Sequence, residues 1–243
     1  MKKLCILFFS LLTFVSFSQT LEVVYSETTD LSDEFKNLDL PEMEGVNNLL
    51  IQQLIQQQAS KPVSFKLTSS QGKSLYESFS KSKKKSVGGI SLTVSRDEEQ
   101  FFRDFEKDNV LHQTELLSRQ FIIDDTLRQF GWKVSDETKT ISGFECKKAV
   151  SKTSKNIEAW YTSEISLSVG PRDYHGLPGL IMEVNVDSLS IVASEVKLIE
   201  ENTDIEAPTE GKKVSREKYN KIMEKKMGKD QGEGGVQMKV ITM

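Results

Sequence analysis

Residues 160–184 read WYTSEISLSVGPRDYHGLPGLIMEV, and the punctuation of this stretch decides how the chain is built. Gly170-Pro171 marks one reversal of direction. Leu177-Pro178-Gly179-Leu180 marks a second, with proline in the second place and glycine in the third, as a type II turn requires. Pro178 fixes φ and Gly179 supplies a positive one, so the corner is expected to feed directly into a central strand, Leu180 to Val186. In that strand Met182, Val184 and Val186 share one face, while Glu183, Asn185 and Asp187 share the other. Such a pattern belongs to a sheet covered on one side.

The same period of two recurs outward from this point. Val63, Phe65 and Leu67 alternate with polar residues; Ser69 to Lys73 then offers a turn, and Leu75 to Phe79 returns as the second arm of a hairpin. Further strands are expected at Leu21 to Tyr25, Ile90 to Val94, Gln100 to Phe105, Arg119 to Ile123, Gly131 to Val134, Gly143 to Val150, Ile157 to Thr162 and Leu189 to Ile199. Helical spacing is confined to two places. Val46, Leu50 and Leu54, with Ile51 and Ile55 beside them, make an apolar stripe near 46–58. Ser215 can cap a helix that carries Glu217 in its first turn and Lys225-Lys226 in its last, with Gly228 as its stop. The expected fold is mainly β with a minor α part. It is a single curved antiparallel sheet or half-barrel with one or two helices packed on it, similar to periplasmic lipoprotein-carrier folds.

The chain begins with Met1-Lys2-Lys3, an apolar run from Leu4 to Phe17 and a small-x-small exit at Ser16-Phe17-Ser18, the pattern of a secretory signal peptide over residues 1–18. The expected order is then a β domain over 19–201, a linker over 202–214, a helix over 215–228, and a flexible tail or edge strand over 229–243. The mature chain is expected outside the cytoplasm, in the periplasm, at the outer-membrane surface or beyond the cell. No transmembrane span is expected after the leader, since nothing there approaches the roughly twenty apolar residues a span needs. Cleavage removes Lys2 and Lys3 and makes a formal net charge of −4 more negative still. An acidic chain has no general attraction to phosphate backbones, so no nucleic-acid partner is expected. Ser80 to Gly89, SKSKKKSVGG, reads as a solvated loop between strands, its lysines Lys81 to Lys85 offering a contact for anionic headgroups as the other reading.

Catalytic sets are hard to assemble. The leader takes Cys5 with it, leaving Cys146 as one thiol beside two histidines, His112 and His175. No zinc site of the cysteine and histidine kind can be built from these locally, and neither a phosphate-cradling glycine loop nor Gly-x-Ser-x-Gly nor His-Glu-x-x-His occurs. No catalytic residue, metal or cofactor is expected. Cys146 with His175 is arithmetically a nucleophile and base, but Cys146 lies in a strand-like run, where cysteine is usually a small buried apolar residue. Asp124-Asp125 and Asp97-Glu98-Glu99 read as solvated acids in turns. Trp160, Tyr161, Tyr174 and His175 are the candidate ligand or partner residues, with Leu177 beside them. The other reading makes Gly170, Pro171, Gly176, Leu177, Pro178, Gly179, Leu180 and Ile181 a rigid corner of the fold, and turn geometry favours it.

Gly176 to Ile181 spells GLPGLI, and here the chain resembles the GLPGLI family of exported proteins from Gram-negative bacteria. Trp132, Thr138-Lys139, Ile141-Ser142-Gly143-Phe144, Cys146-Lys147-Lys148-Ala149, Ala159-Trp160-Tyr161-Thr162 and Gly170-Pro171 stand around the motif in matching order. Where the family usually shows a proline after the Trp-Tyr-Thr stretch, this chain has Ser166. The resemblance implies an exported, mainly antiparallel β protein and carries no biochemical activity to any residue. From the residues themselves, the expected role is a non-catalytic envelope protein binding an apolar ligand, such as a lipid or lipoprotein segment, or a protein partner. The alternatives are an accessory partner of an outer-membrane transport or secretion system, and a thiol hydrolase using Cys146 and His175.

Overall fold

The computed structural model describes residues 19–30, 61–78, 85–87, 90–94, 99–227 and 238–242. The leader expected at 1–18, the helix expected near 46–58 and most of the lysine segment at 80–89 lie outside them. The strands are β1 (Thr20–Thr29), β2 (Val63–Ser70), β3 (Lys73–Ser78), β4 (Lys85–Val87), β5 (Ile90–Val94), β6 (Gln100–Asp104), β7 (Asn109–Leu116) and β8 (Arg119–Thr126). They continue with β9 (Lys133–Ile141), β10 (Phe144–Val150), β11 (Ile157–Thr162), β12 (Leu180–Val186), β13 (Leu189–Ile199), β14 (Lys212–Ser215) and β15 (Met238–Thr242). Among the described residues one helix, α1, spans Arg216–Met227.

Twelve strands form one open sheet in the order β14-β8-β7-β6-β3-β2-β1-β13-β12-β11-β10-β9, and β15-β5-β4 make a separate three-stranded sheet. Every neighbouring pair in the large sheet is antiparallel except β14 with β8, which are parallel, so the sheet is mixed rather than wholly antiparallel. The β2–β3 hairpin closes through Gln71 and Gly72 at φ of 50° and 71°, the two left-handed residues of a type I′ turn.

Connectivity forces this sheet to bend. The strands β8 and β9 stand ten positions apart in the order, about 48 Å if the sheet were flat. Yet they are consecutive in the chain, and the stretch from Thr126 to Lys133 spans at most about 25 Å. The sheet therefore curls until its ends approach, which makes it the half-barrel that the one-sided strand pattern predicts. Alternate residues fill the inside: Leu21, Val23 and Tyr25 from β1, Phe65 and Leu67 from β2, Tyr76 from β3, and Met182 and Val184 from β12 all belong to one buried cluster.

A second, smaller cluster seats α1. Tyr219, Ile222 and Met223 pack on Leu116, Phe121, Ile123 and Val214, with the Tyr219 and Phe121 rings edge to face at 5.6 Å. The Ser215 hydroxyl accepts from the Lys218 amide at 3.3 Å, as its capping position predicts. Residues 202–214 are not a free linker. Their end is β14, Ile205 and Val214 are buried, and Gly211 at φ 126° packs so close to the Gln120 backbone that a Cβ would lie 2.9 Å from its carbonyl carbon. Charged and polar composition with Pro208 and Gly211 reads as a connector, but two apolar residues and one glycine suffice to dock it.

Three strands depart from the sequence pattern, the first being β4, which takes up three residues of the segment 80–89 expected to be a solvated loop and pairs with β5. β7 has His112, Gln113 and Thr114 at its centre, which breaks the apolar alternation. β9 runs on from Val134 through Asp136, Glu137 and Lys139, a charged stretch that only an edge strand accommodates.

Candidate functional site

The segment 163–179, between β11 and β12, carries no helix or strand and lies as a strap over the inside of the curl. Its apolar residues Ile165, Val169, Tyr174 and Leu177 are buried in the main cluster. Burying four such side chains contributes roughly 6–12 kcal/mol. Ordering the strap backbone, at about 1–2 kcal/mol per residue, costs more than this gain, so the polar anchors are needed to hold it in place.

Arg103, on β6, is the first anchor. Its guanidinium is fully buried and donates to the Gly170 carbonyl at 2.6 Å, the Tyr174 carbonyl at 2.8 Å and the Ser74 hydroxyl at 2.8 Å. Burial pulls its pKa down to about 10, and no carboxylate is among these three acceptors. Glu27, on β1, is the second anchor. Fully buried, it receives both arms of the Arg172 guanidinium at 2.9 and 2.8 Å and the Tyr76 hydroxyl at 2.6 Å. Glu99 stands 3.3 Å from Arg172 on its other side and 3.6 Å from His112, whose ring stacks on Phe101 at 4.0 Å. Burial works against the Arg172 charge, but the Glu27 and Glu99 carboxylates outweigh it and hold the guanidinium well above its ordinary range. Burial and the adjoining Glu27 charge push the Tyr76 phenol up in the same way. A third anchor is the Tyr25 hydroxyl, which donates to the Ile181 carbonyl at 2.6 Å just past the strap.

The corner itself differs from a type II turn. The Gly179 amide donates to the Leu177 carbonyl at 2.8 Å, a three-residue turn centred on Pro178, while the Leu180 amide donates to Ile165. Gly179 has φ 150°, and a Cβ there would lie 2.0 Å from the Thr162 carbonyl oxygen. Glycine is required because the two roots of the strap touch. Gly176 at φ 88° faces the Trp132 indole, and Gly170 lies against Ile181, where a Cβ would come within 2.7 Å of the isoleucine Cβ. Pro171 accepts the Tyr174 amide at 3.0 Å, and Arg172 between them is left-handed at φ 47°.

Trp160, Tyr161, Tyr174 and His175 are all buried, at 7%, 5%, 6% and 8% exposure, so none of them is presented to solvent. Nor are they one group. Trp160 and Tyr161 sit on β11, where the Lys139 ammonium lies 4.2 Å from the Trp160 ring and Glu158 accepts its indole N–H. Tyr174 and His175 belong to the strap, packed against Phe130 and, for His175, Phe105.

Cys146 and His175 do not form a thiol site. Cys146 is fully buried on β10, its sulfur 3.5 Å from the Phe144 carbonyl and its charged surroundings Lys139, Glu164 and Glu183. His175 instead faces Arg103, Asp173 and Asp108. Burial pushes the thiol up to about 11 and the imidazole down to about 4, the reverse of what an ion-paired nucleophile needs. Asp124 and Asp125 are on β8 rather than in a turn. Asp124 holds Asn109 and Lys213, and Asp125 holds Arg216, which ties β14 and α1 to the sheet. No group of three metal-ligating side chains occurs among the described residues, and no helix there is long and apolar enough to cross a membrane.

Glu27, Tyr76, Arg103 and Arg172 were not singled out by sequence reasoning. A signal existed for two of them. Glu27 continues the inward series Leu21, Val23, Tyr25, and Arg103 stands between Phe101 and Phe105, so each places a charge in an apolar phase.

The model of a family described as a protein of unknown function (Porph_ging) matches residues 150–183, from the end of β10 through the strap into β12. No curated protein matches the sequence. Two solved structures of PNGF-II, in the P21 and C2 space groups, share the fold at a TM-score of 0.51. They are 17% and 16% identical to this chain and cover 84% of it. The chain spans only 33% and 32% of their length, so the likeness is to part of a larger protein.

Proposed function

We propose that the protein is an exported, non-catalytic member of the GLPGLI proteins that binds a protein partner of the cell envelope by strand addition along β9. The reading rests on the unequal edges of the sheet. At one end β14 is four residues long and runs straight into α1, which packs over it. At the other, β9 is nine residues long, is paired on one side with β10, and is otherwise exposed along most of its length. An extended segment can add its own hydrogen bonds to such an edge. The charges Lys133, Asp136, Glu137 and Lys139 discourage indiscriminate pairing and favour a segment of complementary pattern. The strap fills the inside of the curl, so the outer edge supports a protein partner better than the interior supports an acyl chain. The leader-like pattern of residues 1–18 favours an exported location, and the separation of Cys146 from His175 favours a role without catalysis.

Photo-crosslinking in intact cells tests this. A photoreactive residue at Thr138 on β9 should yield one defined adduct with an envelope protein, and the same residue at Lys225 on α1 should not. Identical adduct patterns from both positions, or lipid retained through native purification with no protein adduct, would remove the proposal.

A further inference from the structure

The strap also carries a titratable group in a setting built for only one of its charge states. His175 is 8% exposed, and its Nε2 is buried without a hydrogen-bond partner. Its ring is wedged edge to face between Phe105 at 5.7 Å and Phe130 at 6.1 Å. Charged groups face it from three directions: Arg103 from β6, Asp108 from the β6–β7 turn, and Asp173 within the strap. Arg128, before β9, contributes a backbone hydrogen bond to the ring, and its own guanidinium lies 3.9 Å from Asp173. Arg103 is committed to two strap carbonyls and cannot move away without releasing them. A neutral imidazole fits this place. An imidazolium has no acceptor for its Nε2 proton and sits near a buried guanidinium.

We infer that the strap is an acid-released latch, in which protonation of His175 frees residues 163–179 from the inside of the curl and uncovers the aromatic row Tyr25, Phe65, Tyr76 and Phe101. That row is contiguous, with Phe65 stacked on Tyr76 at 5.0 Å and Tyr25 and Phe101 edge-on to Tyr76 at 5.9 and 6.4 Å. Release leaves the strand pairing of the sheet intact but breaks, besides the Arg103 and Arg172 anchors, the two backbone bonds from the Leu180 and Ile181 amides to Ile165 and Val169. Burial, with Arg103 next, holds the imidazole at about 4 against an ordinary 6.5. The neutral form's contribution is therefore complete above pH 6.5 and is lost as pH falls toward 4. Across that window the opening equilibrium should rise by on the order of 100-fold.

The structure supplies a reporter, because the Trp132 indole donates to the His175 carbonyl at 2.7 Å. Trp132 and Trp160 are the two tryptophans of the chain, so Trp160→Phe leaves Trp132 alone to report. On acidification from pH 7 to 3.5, its emission should shift to the red, and hydrogen exchange should speed up in 163–179 while β1, β2 and β12 stay protected. His175→Phe, which keeps the wedge between Phe105 and Phe130, should move that transition to lower pH by at least one unit. His175→Gln serves the same purpose should the phenylalanine variant fail to fold. Both variants opening at the wild-type pH would assign the effect to Glu27 or Glu99 and overturn the proposal. So would simultaneous loss of protection in the strap and in β12, which is global unfolding.

Discussion

Replacing Gly179 by alanine isolates the contact on which the strap turns back. The substitution adds a single methyl group, but that carbon would lie 2.0 Å from the Thr162 carbonyl oxygen, 2.8 Å from its carbonyl carbon and 3.1 Å from the Ser163 Cα. All three are backbone atoms at the paired roots of β11 and β12, so no side chain can swing aside. The backbone conformation at φ 150° costs a residue with a Cβ about 1–3 kcal/mol. Overpacking adds about 1–3 kcal/mol more, for a total of roughly 2–6 kcal/mol. Gly143 provides the control, since its φ is also positive, at 89°, but nothing lies within 4 Å of its would-be Cβ. Gly143→Ala should cost only about 1 kcal/mol, the conformational part alone. Urea denaturation followed by circular dichroism measures both, and the Gly179 midpoint should fall below the Gly143 midpoint by roughly 0.3–2 M at a slope of about 2–3 kcal/mol/M. Equal midpoints for the two variants would refute the close approach of the strap roots.

Other expectations follow from the anchors. Glu27→Gln leaves the largely buried Arg172 without its bidentate carboxylate and should destabilise the fold by about 3–5 kcal/mol in the same denaturation assay. Arg103→Met removes the donor to two buried carbonyls at once, and hydrogen exchange should quicken around Gly170 and Tyr174 before it does anywhere in β1. Cys146, with its thiol pushed up to about 11, should resist iodoacetamide at pH 8 in the native protein and react fully in urea; rapid native labelling would contradict its burial. Tyr219→Ala should cost about 3–5 kcal/mol and loosen α1 from β8, visible as faster exchange across Arg216 to Met227 with β12 unchanged.

The sheet was legible because period-two alternation survives wherever a strand has one buried face, as in Val63 to Leu67 and Leu180 to Val186. Strands escaped notice where that rule lapses for a physical reason. β7 buries Gln113 and Thr114 as well as Val110 and Leu116, and β9 stands at an edge where charge is tolerated. The proline and glycine of the corner announced a sharp reversal, but its type depended on the Thr162 backbone packed against it. Half-barrel closure is read less from any strand than from the short stretch joining β8 to β9. The anchors were the least legible part. Glu27, Arg103 and Arg172 come from segments far apart in sequence, and only the curl brings them to one strap. The four aromatic and histidine residues chosen as a ligand loop are conspicuous by type, but burial makes them packing residues on two separate elements.

The claim that the strap belongs to the core, and so directs partner binding to the outer edge, is tested most directly by amide hydrogen exchange of the native protein at pH 7. The hydrogen-bonded strap amides of Val169 and Tyr174 should be protected to within about tenfold of β12, while Ser135 to Glu137 of β9, which have no strand partner on β10, exchange far faster. A strap that exchanges as quickly as β9 would mean that the inside of the curl stands open, and the ligand face would then be the interior.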